Sequence, residues 1–216
     1  MITFLIIIAT YVASALVLET VGWLFQMWRL HGVKKRTEEW CKTLPLTEED
    51  KQLIEDNREL MRELFPDGIE NKFRDMPLAD RVEKMKELIE RANQIYGVGI
   101  STVKFAPGSE IGDCTLGYFD KDTNCVAINV DILASDDADV MRAIVGTVFH
   151  ELRHALQYKA ITDSDFHYGT EEQRRLWALN FMEGNYIPPE VDFVLYQRQA
   201  VEADARQIAE HIIENF

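Results

Sequence analysis

The stretch that most constrains this chain runs from Ser135 to about residue 159. Ser135 reads as an N-cap, and Asp136, Asp137 and Asp139 place acids at the positive end of a helix. Met141, Ile144, Val145, Val148, Leu152 and Ala155 then recur on one stripe. A helix of that length with such a stripe has to be covered by other elements. Before it, "GVGISTVKF" (97–105) reads as a strand, and "CTLGYF" (114–119) and "CVAINV" (125–130) alternate around "DKDTN", as in a hairpin. After it, the pattern predicts a helix over about 170–182 and, beyond the "YIPPE" break, a final helix over about 191–213. Two further helices precede the strands. One starts at the N-cap Thr47 and stops near Pro66, with Leu53, Ile54, Leu60, Met61 and Leu64 as its stripe. The other covers about 77–96, with Val82, Met85, Leu88, Ile89 and Ala92. The order implies an α+β fold with a small antiparallel sheet between two helical parts.

Of the 216 residues, 47% are hydrophobic, enough for a real core. The 37 acidic against 23 basic residues, a formal charge of -14, argue against nucleic acid as a partner. Cys41, Cys114 and Cys125 form no CxxC pair, so they read as free thiols in a reducing compartment, with a Cys114–Cys125 bridge across the hairpin as the alternative. At the start of the chain, Ile2 to Leu18 carries no charge, and Glu19 is the only one up to Trp28. Trp23 and Trp28 fit an interfacial belt, and Arg29, Lys34, Lys35 and Arg36 follow at once. Residues 1–30 are therefore expected to be a transmembrane helix, making the lipid bilayer a partner and the protein single-pass, with its C-terminal side in the cytoplasm. A cleaved signal peptide would want a basic segment before the apolar run, and none is there; a buried helix is the other competitor, which Glu19 favours. Residues 31–96 read as a helical linker region packing on a domain formed by 97–216.

The long helix contains "GTVFHELRHALQYK". His150 and His154 are four apart and share a face, so two imidazoles can reach one metal ion, while Glu151 can face a water on that ion. Zinc brings the pKa of such a water to about 7, and a carboxylate can take its proton as it attacks a carbonyl. A catalytic zinc needs a third protein ligand, and the downstream candidates are His167, Asp192, Glu202, Asp204 and His211. The HExxHxxGxxH spacing would put a histidine at position 160, where Ala160 stands. Glu202 lies at the margin of the buried stripe of the last helix with Ala205 and Ala209 beside it, well placed to reach a neighbouring helix; Asp204 points nearly the opposite way.

"FHELRHALQ" followed by "EADARQIAE" resembles the gluzincin (HExxH…ExxA) branch of zinc metallopeptidases. With "GYFDKDTNCVAINVDIL" upstream, the arrangement is similar to the ImmA/IrrE-like families over about 98–213. The resemblance implies a zincin-like domain in which His150, His154 and Glu202 bind one zinc ion and Glu151 is the general base and acid. The chain departs from that pattern in the long insertion "DFHYGTEEQRRLWALNFMEGNYIPPE" between the two motif helices.

If "CVAINV" were an edge strand, Ala127 and Asn129 would form a rail for an extended peptide; an inner strand is the competing reading. His167, Tyr168, Tyr186 and Tyr196 carry donors suited to an oxyanion, and His167 and Tyr196 join the rail as candidate substrate-binding residues. The expected function is a membrane-anchored, zinc-dependent endopeptidase acting on a peptide or protein. A non-catalytic zincin-like binding or sensor module on a membrane tether is the alternative, and a zinc hydrolase of non-peptide amides a third.

Overall fold

The computed structural model describes residues 44–216, which belong to one compact unit. Its helices and strands, in chain order, are α1 (Glu48–Leu64), α2 (Ile69–Phe73), α3 (Leu78–Tyr96), β1 (Thr102–Ala106), α4 (Gly108–Ile111), β2 (Gly117–Asp120), β3 (Cys125–Asn129), α5 (Val130–Leu133), α6 (Ala138–Thr162), α7 (Glu171–Phe181), α8 (Phe193–Arg198) and α9 (Ala200–Ile213). The fold is α+β, as the sequence pattern implies. Two parts of the expectation need correction. Among the described residues no helix is long and apolar enough to cross a membrane, so neither a fold led by a transmembrane helix nor a single-pass membrane location is supported. The apolar stretch 1–30 on which both rested lies outside the described residues. The sheet is also mixed rather than antiparallel.

The sheet order is β1-β3-β2. β2 pairs antiparallel with β3, Gly117 opposite Ile128 and Asp120 opposite Cys125, which is the expected hairpin. β1 pairs with the other side of β3 in parallel, Thr102 opposite Cys125 and Ala106 opposite Asn129. Alternation marks a strand without fixing its neighbour or direction. Here the chain leaves β1, turns through α4 and descends along β2, so β3 rises in the same sense as β1 and slots between them. The hairpin register leaves Cys114 beyond the end of the pairing opposite Cys125; both are free thiols.

Helix ends follow local chemistry. Thr47 caps α1 and Thr170 caps α7, each in a reciprocal box with the side chain three residues on. Gly97 closes α3 in the left-handed region that disfavours residues with a Cβ. α6 starts two residues later than Ser135 suggests, because the Asp137 carboxylate accepts from Asp139 and Val140 N–H at 3.0 Å. The expected single last helix is broken into α8 and α9 at Gln199, whose backbone is extended.

α6 is the centre of the core. Its stripe, together with Phe149 and Leu156, is buried against the apolar faces of α2, α3 and α9. The two helices before the sheet thus share one core with the rest of the described residues. Gly146 lets α9 approach: a Cβ there would lie 3.0 Å from Ile213 Cδ1. Arg153 is fully buried on the same helix. Its guanidinium bonds Asp204 of α9 at 2.8 and 3.0 Å and Asp50 of α1 at 2.8 Å, over the rings of Trp177 and Tyr168. Two carboxylates and two aromatic faces around one cation pin α6 to α1, α7 and α9 together.

Candidate metal centre

Four-residue spacing on α6 sets the rings of His150 and His154 edge to face, with Nε2 atoms 3.0 Å apart. α9 crosses in front of them and delivers Glu202, which is 2% exposed. One oxygen, Oε2, lies 3.3 Å from His150 Nε2, and the other, Oε1, lies 3.4 Å from His154 Nε2. Oε2 has no hydrogen-bond partner although it is buried. Three donor atoms from residues far apart in sequence thus face one gap, and the group can hold a metal ion.

The donor set fits such an ion. Four ligands at about 2.0–2.1 Å around a tetrahedral centre stand about 3.3 Å from one another, close to the 3.0 Å between the two Nε2 atoms and the 3.3 Å from His150 Nε2 to Glu202 Oε2. Two imidazole nitrogens and an orphaned carboxylate oxygen turned toward each other are short of a positive charge between them. In the metal-free protein a proton supplies it. Burial works against a charged His154, but the Glu202 carboxylate opposite, with help from Glu151 and Gln157, raises its pKa to about 9. Burial likewise opposes ionised Glu202, and the two imidazoles overcome it and hold its pKa well below the usual carboxylate range.

A second ring of contacts surrounds the ligands. His154 Nδ1 meets Gln157 Oε1 at 2.9 Å, and Gln157 Nε2 donates to Val201 O at 3.0 Å and to Asp204 Oδ2 at 2.6 Å. Tyr186, from the insertion between the motif helices, donates its hydroxyl to Glu202 Oε1 at 2.8 Å. The residue is 45% exposed, but desolvation at its hydroxyl end and the charge of that carboxylate push the Tyr186 phenol above its ordinary pKa.

The centre opens into a groove with two arms of about 570 and 770 Å³. His150, Glu151, Gly117, Pro189 and Tyr196 border both arms, so His150 and Glu151 sit where the arms meet, while His154 and Glu202 line the smaller arm. One wall is β2, whose outer edge is unpaired in the sheet. The other is the insertion, through Met182 and Tyr186 in one arm and Pro189 and Glu190 in the other, where Phe193 of α8 follows.

The expected residues are distributed as follows. His150, Glu151, His154 and Glu202 come together, and Tyr196 stands beside them in the groove. Ala127 and Asn129 do not: β3 is the inner strand, Ala127 is paired with Lys104 on one side and Tyr118 on the other, and both residues are buried. Of the two readings of "CVAINV", the inner strand is the one this sheet has, and among the described residues the edge strand that lines the groove is β2. Asn129 is structural, its Oδ1 accepting from Asp131 and Ile132 N–H and its Nδ2 donating to Thr115 O. His167 is exposed and does not line the groove, and Tyr168 gives its hydroxyl to Asp50 at 2.8 Å. Asp204 turns away from the metal ligands toward Arg153 and Gln157, as its helical position implies.

Sequence reasoning missed Gln157, Arg153 and Asp50. Gln157 left a signal, since it lies one turn beyond His154 on the same face, where a polar side chain can meet the imidazole's other nitrogen. Comparisons of the chain with protein-family profiles, with curated proteins and with solved structures gave no match.

Proposed function

We propose that this protein is a zinc-dependent endopeptidase. The observation that carries the reading is the convergence of His150, His154 and Glu202 at the wall of the groove, with Glu151 beside His150 where its two arms meet. Two imidazoles and one carboxylate are a donor set suited to catalytic zinc, which leaves a further position for water or substrate. The likeness of "HELRH" and "EADA" to gluzincin peptidases points the same way.

His150, His154 and Glu202 would hold the zinc ion, which when bound would supply Lewis-acid chemistry for water and a carbonyl oxygen. Glu151, 7% exposed, takes a proton from the attacking water on its carboxylate and returns it to the amide nitrogen as the C–N bond breaks. Tyr196 supplies a phenol donor for the carbonyl oxygen as charge develops there. The unpaired edge of β2 supports a peptide as substrate: an extended backbone can add to that edge and run past the ligands. A small amide gains nothing from such an edge, which makes the non-peptide alternative the weaker one.

The test is zinc content and cleavage of a mixed peptide library by the purified protein and two variants. Glu151→Gln is expected to keep stoichiometric zinc and lose hydrolysis, and His150→Ala to lose both. Full activity in Glu151→Gln would sink the mechanism. A wild-type protein that holds zinc and binds peptides without cutting any would leave the non-catalytic sensor module in its place.

A further inference from the structure

Two of the three ligand side chains have a second polar atom, and in both a named neighbour is hydrogen-bonded to it. For His154 that atom is Nδ1, 2.9 Å from Gln157 Oε1. Which atom of the Gln157 amide faces the ring follows from its other contacts. The nitrogen Nε2 is engaged with Val201 O and Asp204 Oδ2, and both are acceptors only. The oxygen therefore faces His154 and can only accept, so Nδ1 carries a proton. Nε2, which faces His150 Nε2 and Glu202, is then the nitrogen whose lone pair becomes free for a metal ion once the charged ring gives up its second proton.

For Glu202 that atom is Oε1, which lies 3.4 Å from His154 Nε2 and accepts the Tyr186 hydroxyl at 2.8 Å. The other oxygen is buried and unpartnered. An unpartnered buried carboxylate oxygen costs stability unless something binds it, and the one with no hydrogen bond is the one beside His150. Both partners are themselves held. Gln157 is fully buried between α6 and α9, and Tyr186 packs edge-on against Tyr196, ring centroids 6.3 Å apart.

We infer that Gln157 and Tyr186 are positioning residues of the metal centre, reserving His154 Nε2 and Glu202 Oε2 as ligand atoms by occupying Nδ1 and Oε1. The inference rests on the metal-binding part of the proposed function. It assigns a role to the insertion between the motif helices, which carries Tyr186. Neither side chain touches the reacting atoms; each acts through a ligand. Outer partners of this kind set the tautomer and orientation of a ligand, and removing one weakens metal binding by about 10–100-fold.

The test uses the full chain stripped of metal by a chelator, with Zn2+ alone titrated by calorimetry and Co2+ alone followed by its visible absorption. Tyr186→Phe keeps the ring against Tyr196 and removes only the donor. Gln157→Met keeps volume and removes the acceptor, and Gln157→Glu restores an acceptor at Nδ1. We expect Tyr186→Phe and Gln157→Met to bind Zn2+ about 10–100-fold more weakly than wild type and to shift the Co2+ spectrum. Gln157→Glu is expected to recover much of the affinity. Wild-type affinity and an unshifted Co2+ spectrum in Tyr186→Phe overturn the inference for the insertion. The same result in Gln157→Met overturns it for His154, and if that variant does not fold, Tyr186→Phe carries the test. Failure of the wild-type chain to bind either ion overturns the proposed function instead, which keeps the two failures apart.

Discussion

Gln199 grips both backbone polar groups of Ile187: its Oε1 accepts the N–H at 2.8 Å, and its Nε2 donates to the carbonyl at 2.8 Å. Both residues are buried. The clamp joins the break between α8 and α9 to the residue next to Tyr186, and so fixes where the Tyr186 hydroxyl meets Glu202. It also explains why the last helix is broken. An α-helical Gln199 would have to give up this extended backbone, and with it the geometry that pairs its amide with Ile187.

Replacing Gln199 by Leu keeps the volume and leaves two buried backbone groups without partners. Each costs about 1–3 kcal/mol, so urea denaturation should show a clear loss of stability. The Ile187 amide should lose its hydrogen-exchange protection, and metal affinity should fall although Gln199 touches no ligand. An Ile187 amide as protected in the variant as in wild type would refute the clamp.

Arg153→Met tests the pin at the centre of the fold. Removing the guanidinium leaves the buried Asp50 and the partly buried Asp204 without their cation. Breaking a buried ion pair from one side costs about 3–5 kcal/mol, here read as a lower urea midpoint. A loss below about 1 kcal/mol, the usual size for exposed pairs, would mean that solvent reaches this group.

How much was legible depended on whether the information was local. The two histidines and Glu151 could be placed because helical spacing alone puts His150 and His154 on one face. Glu202 could be chosen because a carboxylate at the margin of a buried stripe, among alanines, must meet a neighbouring helix. Strand direction could not be read, since alternation in "CVAINV" is the same for an inner strand and an edge. That ambiguity moved the candidate rail from Ala127 and Asn129 to β2. The contacts of Arg153 with Asp50 and Asp204 need three helices in place before they exist, and no single segment announces them. The break at Gln199 contains no proline or glycine at the break itself; its cause is a tertiary hydrogen-bond pair with Ile187.

Asp50 should make stability depend on acid pH. Burial pushes its carboxyl pKa up, but the Arg153 charge and the hydrogen bonds from Thr47 and Tyr168 outweigh burial, so its folded pKa is depressed. A depressed pKa means that the unfolded chain binds the proton more readily. The contribution is therefore complete above the unfolded value of about 3.9 and is lost as pH falls through the folded one. Asp50→Asn removes the titration, so the stability gap between wild type and variant should be constant near neutrality and narrow below about pH 4. Urea denaturation from pH 6 to pH 3 measures it. A gap that stays flat over that range would show that Asp50 does not titrate with folding.

Gly117 is where β2 leans on α6, and two glycine variants can separate the groove wall from the metal centre. A Cβ on Gly117 would lie 2.6 Å from Ala127 O and 2.9 Å from Thr147 Cγ2, the first a backbone atom of the inner strand and the second a side chain one turn before His150. Neither can yield without β2 moving outward. Gly117→Ala should therefore cost about 1–3 kcal/mol, the usual penalty for overpacking. Gly146→Ala meets only the tip of Ile213, 3.0 Å away and free to rotate, and it gains the helix preference of alanine over glycine, about 1 kcal/mol. It should be neutral or stabilising. Since β2 carries no ligand, Gly117→Ala should keep Zn2+ affinity and raise the KM for peptides, as expected if the displaced edge is the substrate's rail. Unchanged KM with the expected loss of stability would mean that the peptide does not run along β2 and that the opposite wall, from Met182 to Phe193, holds it instead.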